Sequence, residues 1–408
     1  MTGGNQMTHP KGPLSGTVII DLTHMLSGPY CTMILADLGA RMIKVEPPGG
    51  EGTRKLLASD PKNSRHGMGA YYLTLNRNKE SVCLDLKRDD GKQLFYELVK
   101  KVDVVVNNYA PGVPKRLGID WDTLARHNPR IITCSITGFG ESGPARDRPS
   151  FDQIAQGMGG GMSITGTEAS GPLRAGIPIG DLGGGLFGAI GILSALNARA
   201  ISGRGQHVDI SMLDAQISML NYMATMFFLS GENPGRLGNG HFVHVPYNTF
   251  QTKDRWIIIA VITDNGWQGC VEAFGADDLR DPAFLTQPGR WKAKEFINRR
   301  VQEILLTRTC DEWLAKLSAH RVPVAPVNDF AHALNDPQVR ARDMIARVGL
   351  SQGGSVEMPG NPVKLSGSSP QEYSPPPTLG QQTDSVLAEL LGCDPAKLAQ
   401  LRRDGVVF

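Results

Sequence analysis

The chain has no CxxC pair and no Cys/His cluster. Its six cysteines, Cys31, Cys83, Cys134, Cys270, Cys310 and Cys393, share no paired spacing. That excludes a disulfide framework and reads as reduced, mostly buried thiols of a cytoplasmic protein. His241 and His244 are three residues apart, but no third ligand stands near them, so no metal site is expected. Charge of one sign is also lacking. The balance of 42 basic against 40 acidic residues gives a net +2, which argues against a general nucleic-acid or membrane-surface binder. No uninterrupted apolar run approaches the roughly 20 residues that cross a bilayer. The N-terminus has no apolar secretory core, no Walker loop or GxSxG elbow is present, and no internal repeat is found.

At 408 residues, 40% apolar and 20% charged, the chain can bury a sizeable core and is too apolar for global disorder. Its length allows two or three domains, or one large domain with an insertion. Residues 1–12 are polar and read as a flexible N-terminus. From Thr17 the pattern alternates strand and helix: strand 17–22, helix 27–38, strand 41–46, strand 82–86, helix 89–101, and strands 104–106 and 131–135. This alternation predicts a doubly wound, parallel α/β sheet. Residues 157–185 carry eleven glycines and read as loop. Two helices, about 186–200 and 212–230, follow around a strand at 207–210. Residues 13–230 therefore read as a large doubly wound α/β domain, 231–330 as a smaller α/β domain, and 331–408 as a C-terminal segment that ends in a helix near 381–391.

Asp181 is the residue most suggestive of chemistry. It stands in Gly180-Asp181-Leu182-Gly183-Gly184-Gly185, before the apolar run from Leu186. A carboxylate there meets a helix N-terminus, which favours its ionised form, and the glycines clear an approach for a bulky ligand. That suits a carboxylate nucleophile; the plain alternative is an N-cap. Arg77, Lys79, Lys87 and Arg88 cluster around one strand and read either as a solvated face or as a phosphate site. The first βα turn, Leu22 to Pro29, lacks the GxGxxG of a dinucleotide fold. Gly183, Gly185 and Gly188 have that spacing but follow a loop.

In order and spacing, several segments together resemble the class III coenzyme A transferases, the family of formyl-CoA transferase and carnitine CoA-transferase. They are Leu26-Ser27-Gly28-Pro29-Tyr30-Cys31, Ala36-Asp37-Leu38-Gly39-Ala40 with Ile43-Lys44-Val45-Glu46, Asn76-Arg77-Asn78-Lys79, Asn108-Tyr109, Phe151-Asp152, Gly180-Asp181, Gly203-Arg204-Gly205-Gln206 and Pro377–Gln381. The resemblance spans about 14–408. It implies Asp181 as nucleophile, Asp152 as an acidic residue near the reacting carboxylate, and coenzyme A contacts at Leu84, Lys87, Asn108, Tyr109 and Arg116. It implies no permanently bound cofactor, acyl-CoA and a free acid as substrates, a Rossmann-like CoA-binding domain over 13–230 to which 331–408 returns, and an interlocked homodimer. The formyl-CoA branch has Gln at the position of Leu26 and Lys-Ala-Tyr at Pro149-Ser150-Phe151, which speaks against formyl or oxalyl transfer. The segment Asn239–Asn248 stands where that branch has a glycine loop. The segment from Val245 to Asp254 and the tail look most like the branch using succinyl-CoA and a dicarboxylate. Arg174, His241 and His244 are the cations available for a second carboxylate. In that setting glycine amides near Asp181 are the expected oxyanion donors. Related 2-methylacyl-CoA racemases place His where this chain has Phe151, which cannot carry a proton. A racemase, a nicotinamide oxidoreductase and a non-catalytic CoA-binding protein are the competing readings.

Overall fold

The computed structural model describes residues 12–368 and 372–408; most of the N-terminal stretch read as flexible lies outside them. The chain divides into two compact units. The larger holds the residues up to Met162 together with Arg174–Glu232 and Ala341–Phe408, and the smaller holds Ser163–Leu173 and Asn233–Arg340.

The larger unit is built on β1 (Val18–Asp21), β2 (Arg41–Glu46), β3 (Lys79–Cys83), β4 (Val104–Asn107), β5 (Ile132–Thr137) and β6 (His207–Ser211). Every pairing is parallel, in the order β6-β5-β4-β1-β2-β3. This is the doubly wound order, with its switch point between β1 and β4. The central strands β1 and β4 are short, largely apolar runs because both faces are covered. One face packs on α1 (Ser27–Asp37) and α7 (Ile179–Ser202): Ile19, Met42, Val106, Cys134 and Ile136 meet Leu35, Ala189 and Ile192. The other packs on α3 (Asp89–Val99), α5 (Trp121–His127), α13 (Thr383–Leu391) and α14 (Pro395–Arg403): Ile20, Ile43, Val82 and Val105 meet Phe95, Leu124, Leu387 and Leu401. The remaining helices of this unit are α2 (Ala70–Leu75), α4 (Val113–Leu117), α6 (Asp152–Met158), α8 (Met212–Leu220) and α9 (Tyr222–Ser230).

The smaller unit carries a three-stranded antiparallel sheet, β7 (Tyr247–Gln251), β8 (Trp256–Ala260) and β9 (Val324–Pro326), packed on α10 (Asp264–Phe274), α11 (Lys294–Leu305) and α12 (Cys310–Ala319). Its limits differ from the 231–330 read from composition. Ser163–Leu173 belongs to it because Gly238 N–H donates to Gly166 O at 2.8 Å and Arg236 pairs with Glu168 at 3.0 Å. Those ties join residues about 70 positions apart, which no local signal reports.

Three further differences concern local structure. Helix α7 begins at Ile179, not near 186. The range 212–230 breaks into α8 and α9 at Asn221, whose φ is 49° and whose side chain caps Tyr222 N–H at 2.7 Å. The tail adds α14 and a hairpin of β10 (Ile345–Gly349) and β11 (Ser355–Pro359) to the one expected helix. Among the described residues, α7 is the one helix long and apolar enough to cross a membrane. Its Gly184, Gly185, Gly188 and Ile192 are buried in this unit.

Candidate active site

Helix α7 starts in glycine because other chain segments occupy the space of the missing side chains. A Cβ on Gly185 would lie 2.6 Å from Ser27 O, one on Gly188 2.7 Å from Ile136 Cδ1, and one on Gly184 3.0 Å from Met212 Cγ. Glycine's poor helix propensity is overridden by packing on α1, β5 and α8. These glycines therefore seat the helix; they do not open a path to a ligand. Gly185 meets the first residue of α1, and α1 follows the carboxyl end of β1. Asp181, one turn before Gly185, is thereby set at the carboxyl edge of the parallel sheet, where ligands of such folds bind.

Asp181 lies inside the first turn of α7, with Pro178 at the N-cap. The cap is supplied from elsewhere: Asp152 Oδ1 accepts from Gly180 N–H at 2.8 Å and Asp181 N–H at 3.2 Å. Its Oδ2 accepts from Gln156 Nε2 at 2.7 Å. The amide of Ile179 donates to Ile177 O, and that of Leu182 to Pro178 O. All four amides of the helix start are thus taken, and the expected glycine-amide oxyanion donors are not free there. Among the described residues, the Asp181 side chain has no hydrogen-bond partner. Its pKa is raised to about 6, first by burial and second by the neighbouring Asp152 charge. The helix N-terminus does not hold it fully ionised, contrary to the sequence expectation: burial opposes the charge first, the Asp152 charge second, and the helix amides are already taken by Asp152 and nearby carbonyls.

The switch point itself is closed by Asn108. Its Oδ1 accepts from His24 N–H at 2.9 Å and its Nδ2 donates to His24 O at 2.7 Å, so one side chain joins the ends of β1 and β4. The His24 ring faces Tyr109 at 5.6 Å between centroids, and burial lowers its pKa. Burial, then the Asp21 charge, pushes the Tyr109 phenol up to about 12. Lys87 follows β3 and Arg116 lies in the last turn of α4, both exposed. Leu84 is 1% exposed and packs in the core, in a bridge to Val407, so a contact there has to use the main chain. Tyr71, on α2, escaped sequence reasoning. Its phenol is raised to about 12 by burial and then by the charges of Asp181, Glu51 and Asp152. It stands beside Tyr72 in the sequence, and no spacing rule singles it out. His24 escaped for the same reason.

The basic cluster proves to be two different things. Arg77 is buried against Asp37 at 2.7 Å and donates to Pro359 O. Lys79 is buried against Asp21 at 2.8 Å. Neither is a solvated face or a phosphate ligand. Only Lys87 and Arg88 are exposed, and Arg88 pairs with Asp90. Glu46, which ends β2 as a ribose-binding acid would, is spent on Arg54 and Ser81, leaving the dinucleotide reading without its acid.

The family model described as CoA-transferase family III matches residues 14–383. The chain belongs to CoA-transferase family III. This family III chain is 39% identical over 384 residues to the acetyl-CoA:oxalate CoA-transferase of Acetobacter aceti, covering 93% of this chain and 96% of that one. It is 33% identical over 401 residues to the succinyl-CoA:glutarate CoA-transferase of Homo sapiens, covering 97% and 90%. The crystal structure of a CaiB/BaiF family protein from Brucella suis superposes with a TM-score of 0.84 at 34% identity, covering 93% of this chain and all of that one. The protein is a CoA-transferase enzyme, acting on a CoA thioester and a carboxylic acid.

Proposed function

We propose that the enzyme moves CoA from an acyl-CoA, succinyl-CoA in the first instance, to a dicarboxylic acid, with Asp181 as the covalent carrier. The observation that carries this reading is the Asp181 carboxylate itself: half-buried, unpaired, at the ligand edge of the sheet, with a pKa raised to about 6. Such a group is still mostly ionised at pH 7, and weak solvation makes it a better nucleophile than a solvated aspartate.

Asp181 Oδ attacks the thioester carbonyl, the C–S bond breaks, and CoA leaves as thiolate from a mixed anhydride. The thiolate attacks the Asp181 carbonyl carbon and expels the first acid as its carboxylate, leaving an aspartyl-CoA thioester. The acceptor carboxylate then attacks that thioester, and CoA thiolate departs again. It finally attacks the acceptor's acyl carbon, forming the new acyl-CoA and freeing the Asp181 carboxylate. No proton is gained or lost over the cycle and no metal is called for. Asp152 holds the start of α7, and with it Asp181, in place through two amides. Asn108, Tyr109, Lys87, Arg116 and the main chain at Leu84 form the CoA path along the carboxyl edge of the sheet. The acids named for the two relatives, oxalate and glutarate, both carry two carboxylates, which supports a dicarboxylate acceptor. Oxalate belongs in the acceptor panel despite the departures at Leu26 and Phe151. Phe151 is 67% exposed and supplies no second acid/base for racemisation.

The reading includes an interlocked homodimer. Its support is α9, whose sequence YMATMFFLS has no buried residue, with Phe228 80% and Leu229 84% exposed. So apolar a helix face needs a cover. Six unpaired cysteines support the cytoplasm as its compartment.

The test is intact mass after incubation with succinyl-CoA, followed by hydroxylamine trapping and peptide mapping. An adduct on Asp181, absent from Asp181→Ala, is expected. No adduct with any acyl-CoA, together with α-proton exchange in deuterated water, would favour the racemase instead.

A further inference from the structure

Two arginines of the larger unit, 30 positions apart in the sequence, meet over one glycine. Arg116 lies in α4, which follows β4, and Arg146 lies in the loop 138–150, which follows β5. The two strands are neighbours, and both segments leave the carboxyl edge of the sheet beside the switch point that Asn108 closes. A Cβ on Gly112 would lie 3.4 Å from Arg116 Nη1 and 4.0 Å from Arg146 Nη2. Gly112 has a φ of 82°, in the left-handed region that favours glycine. Its missing side chain leaves a gap bordered by two guanidinium groups.

The loop of Arg146 is closed on itself. A Cβ on Gly138 would lie 2.2 Å from Ser150 Cβ, so the two ends touch. Glu141 N–H donates to Asp209 Oδ2 at 3.0 Å, and the Arg148 guanidinium lies 5.4 Å from the centre of the Phe139 ring. Backbone bonds from Arg146 N–H to Gly143 O and from Arg148 N–H to Ala145 O shape the tip. A loop tied in this way presents its tip at a defined place.

The pair lacks the acid that the other arginines of this unit have. Arg41, Arg54, Arg77 and Arg199 each meet a carboxylate at 2.6–2.7 Å. Among the described residues, Arg116 makes no ion pair. Arg146 has only a 3.9 Å approach of its Nε to Asp147, its exposed neighbour in sequence. Glu141, the other acid of the loop, is engaged by His207 at 3.1 Å. Two like charges drawn to one gap repel each other, and an anion entering the gap relieves that repulsion. The fork of a guanidinium matches the oxygens of a phosphate, and coenzyme A carries a diphosphate and a 3′-phosphate.

We propose that Arg146 is a further coenzyme A-binding residue, which with Arg116 holds a phosphate of the acyl-CoA in the gap over Gly112. The proposal rests on the transferase reading above. Arg146 lies outside every segment that carries the sequence resemblance, so only the fold brings it to Arg116.

The experiment titrates CoA into the wild-type enzyme, Arg146→Met and Arg146→Lys by calorimetry. Methionine keeps most of the stem and deletes the charge, and lysine restores a charge without the fork. The expected result for Arg146→Met is a Kd raised about tenfold or more, the loss of a charge-assisted hydrogen bond. Arg146→Lys should recover part of it. The gap between wild type and Arg146→Met should narrow in about 1 M NaCl, where the screening length is only about 3 Å. Repeating the titrations with 3′-dephospho-CoA names the phosphate: a penalty that disappears assigns the 3′-phosphate, and one that persists assigns the diphosphate. A Kd for CoA in Arg146→Met indistinguishable from wild type would overturn the proposal. So would a loss that lysine does not recover and salt does not narrow, since that marks damage to the loop. Wild-type enzyme that binds no CoA would instead sink the transferase reading.

Discussion

Asp152 Oδ1 accepts the backbone N–H of Asp181 at 3.2 Å, so one carboxylate anchors the main chain of another while its charge opposes the ionisation of that side chain. The two effects separate by substitution. Asp152→Asn keeps an oxygen for the Gly180 and Asp181 amides and deletes the charge. The Asp181 pKa then falls, and the acid limb of kcat/KM moves down by about one pH unit, with a smaller loss of stability than removal of the whole cap, since only the Gln156 bond to Oδ2 is given up. Asp152→Ala deletes the cap as well and destabilises the enzyme by about 1–2 kcal/mol. An unmoved acid limb in Asp152→Asn would show that burial alone sets the Asp181 pKa.

The wild-type pH profile follows from the same carboxylate. With Asp181 raised to about 6, kcat/KM is expected to fall tenfold per pH unit below that value as the proposed nucleophile is protonated. The stability sign is opposite to that of an ordinary paired carboxylate. The folded pKa lies above the unfolded value of 3.8, so the favourable contribution is complete below pH 4 and lost as pH rises through 6. Asp181→Asn is therefore inactive yet more stable than wild type at pH 7, by roughly 1–2 kcal/mol after allowing for solvent screening. Thermal melts at pH 4 and pH 7 check this: the advantage must vanish at the lower pH.

The sheet was legible in the sequence because strands such as Val104-Val105-Val106 are buried on both faces and read as plain β-branched runs. The strand order was not, since it depends on pairings between distant residues. Asp181 was legible as a candidate nucleophile but not as a geometry. Glycine at 183, 184 and 185 lowers local helix propensity, and only the approach of Ser27 O and Met212 explains why a helix forms there regardless. The cap on that helix comes from 29 positions upstream, out of reach of any local motif. Lys79 and Arg77 looked like surface charge because sequence alone does not show Asp21 and Asp37 folding against them.

The glycines of α7 can be told apart. A Cβ on Gly185 meets the main-chain oxygen of Ser27 at 2.6 Å, whereas one on Gly183 meets Met219 Cε, the end of a flexible side chain, at 2.7 Å. Alanine gains about 1 kcal/mol of helix propensity at either site. At Gly185 an overpacking penalty of roughly 1–3 kcal/mol outweighs that gain and pushes α1 away from the switch point. Gly185→Ala should melt lower and bind acyl-CoA more weakly, and Gly183→Ala should melt at or above wild type. Equal melting temperatures for the pair would refute this packing account.

The apolar face of α9 gives a prediction about assembly. Phe228 and Leu229 are the most exposed large apolar side chains of that helix. If a second copy covers them, Phe228→Asp with Leu229→Asp places carboxylates in an apolar contact, and sedimentation should change from dimer to monomer with loss of activity. An unaltered dimer places the interface elsewhere.

The buried pair Lys79–Asp21 supports the turn beneath the switch point. Asp21 accepts from Thr23 N–H at 2.8 Å, Thr32 Oγ1 at 2.8 Å and Lys79 Nζ at 2.8 Å, while Lys44 Nζ donates to Thr23 O at 2.8 Å. Burial alone would raise the Asp21 pKa, but the Lys79 and Lys44 charges overcome it and hold the group well below the usual carboxylate range. Burial lowers Lys79 itself to about 8, against the pull of Asp21. Lys79→Met strands Asp21 in the core and costs about 3–5 kcal/mol at pH 7. That gap narrows as pH falls, because the stranded Asp21 takes up a proton while the paired one does not. Adding Asp21→Asn to Lys79→Met removes the stranded charge and keeps one oxygen for the Thr23 amide and hydroxyl, so stability returns in part. Denaturant unfolding of the three proteins at pH 5 and pH 7 decides it: a double variant no more stable than Lys79→Met would mean that the loss comes from packing around the Lys79 stem and not from the orphaned carboxylate.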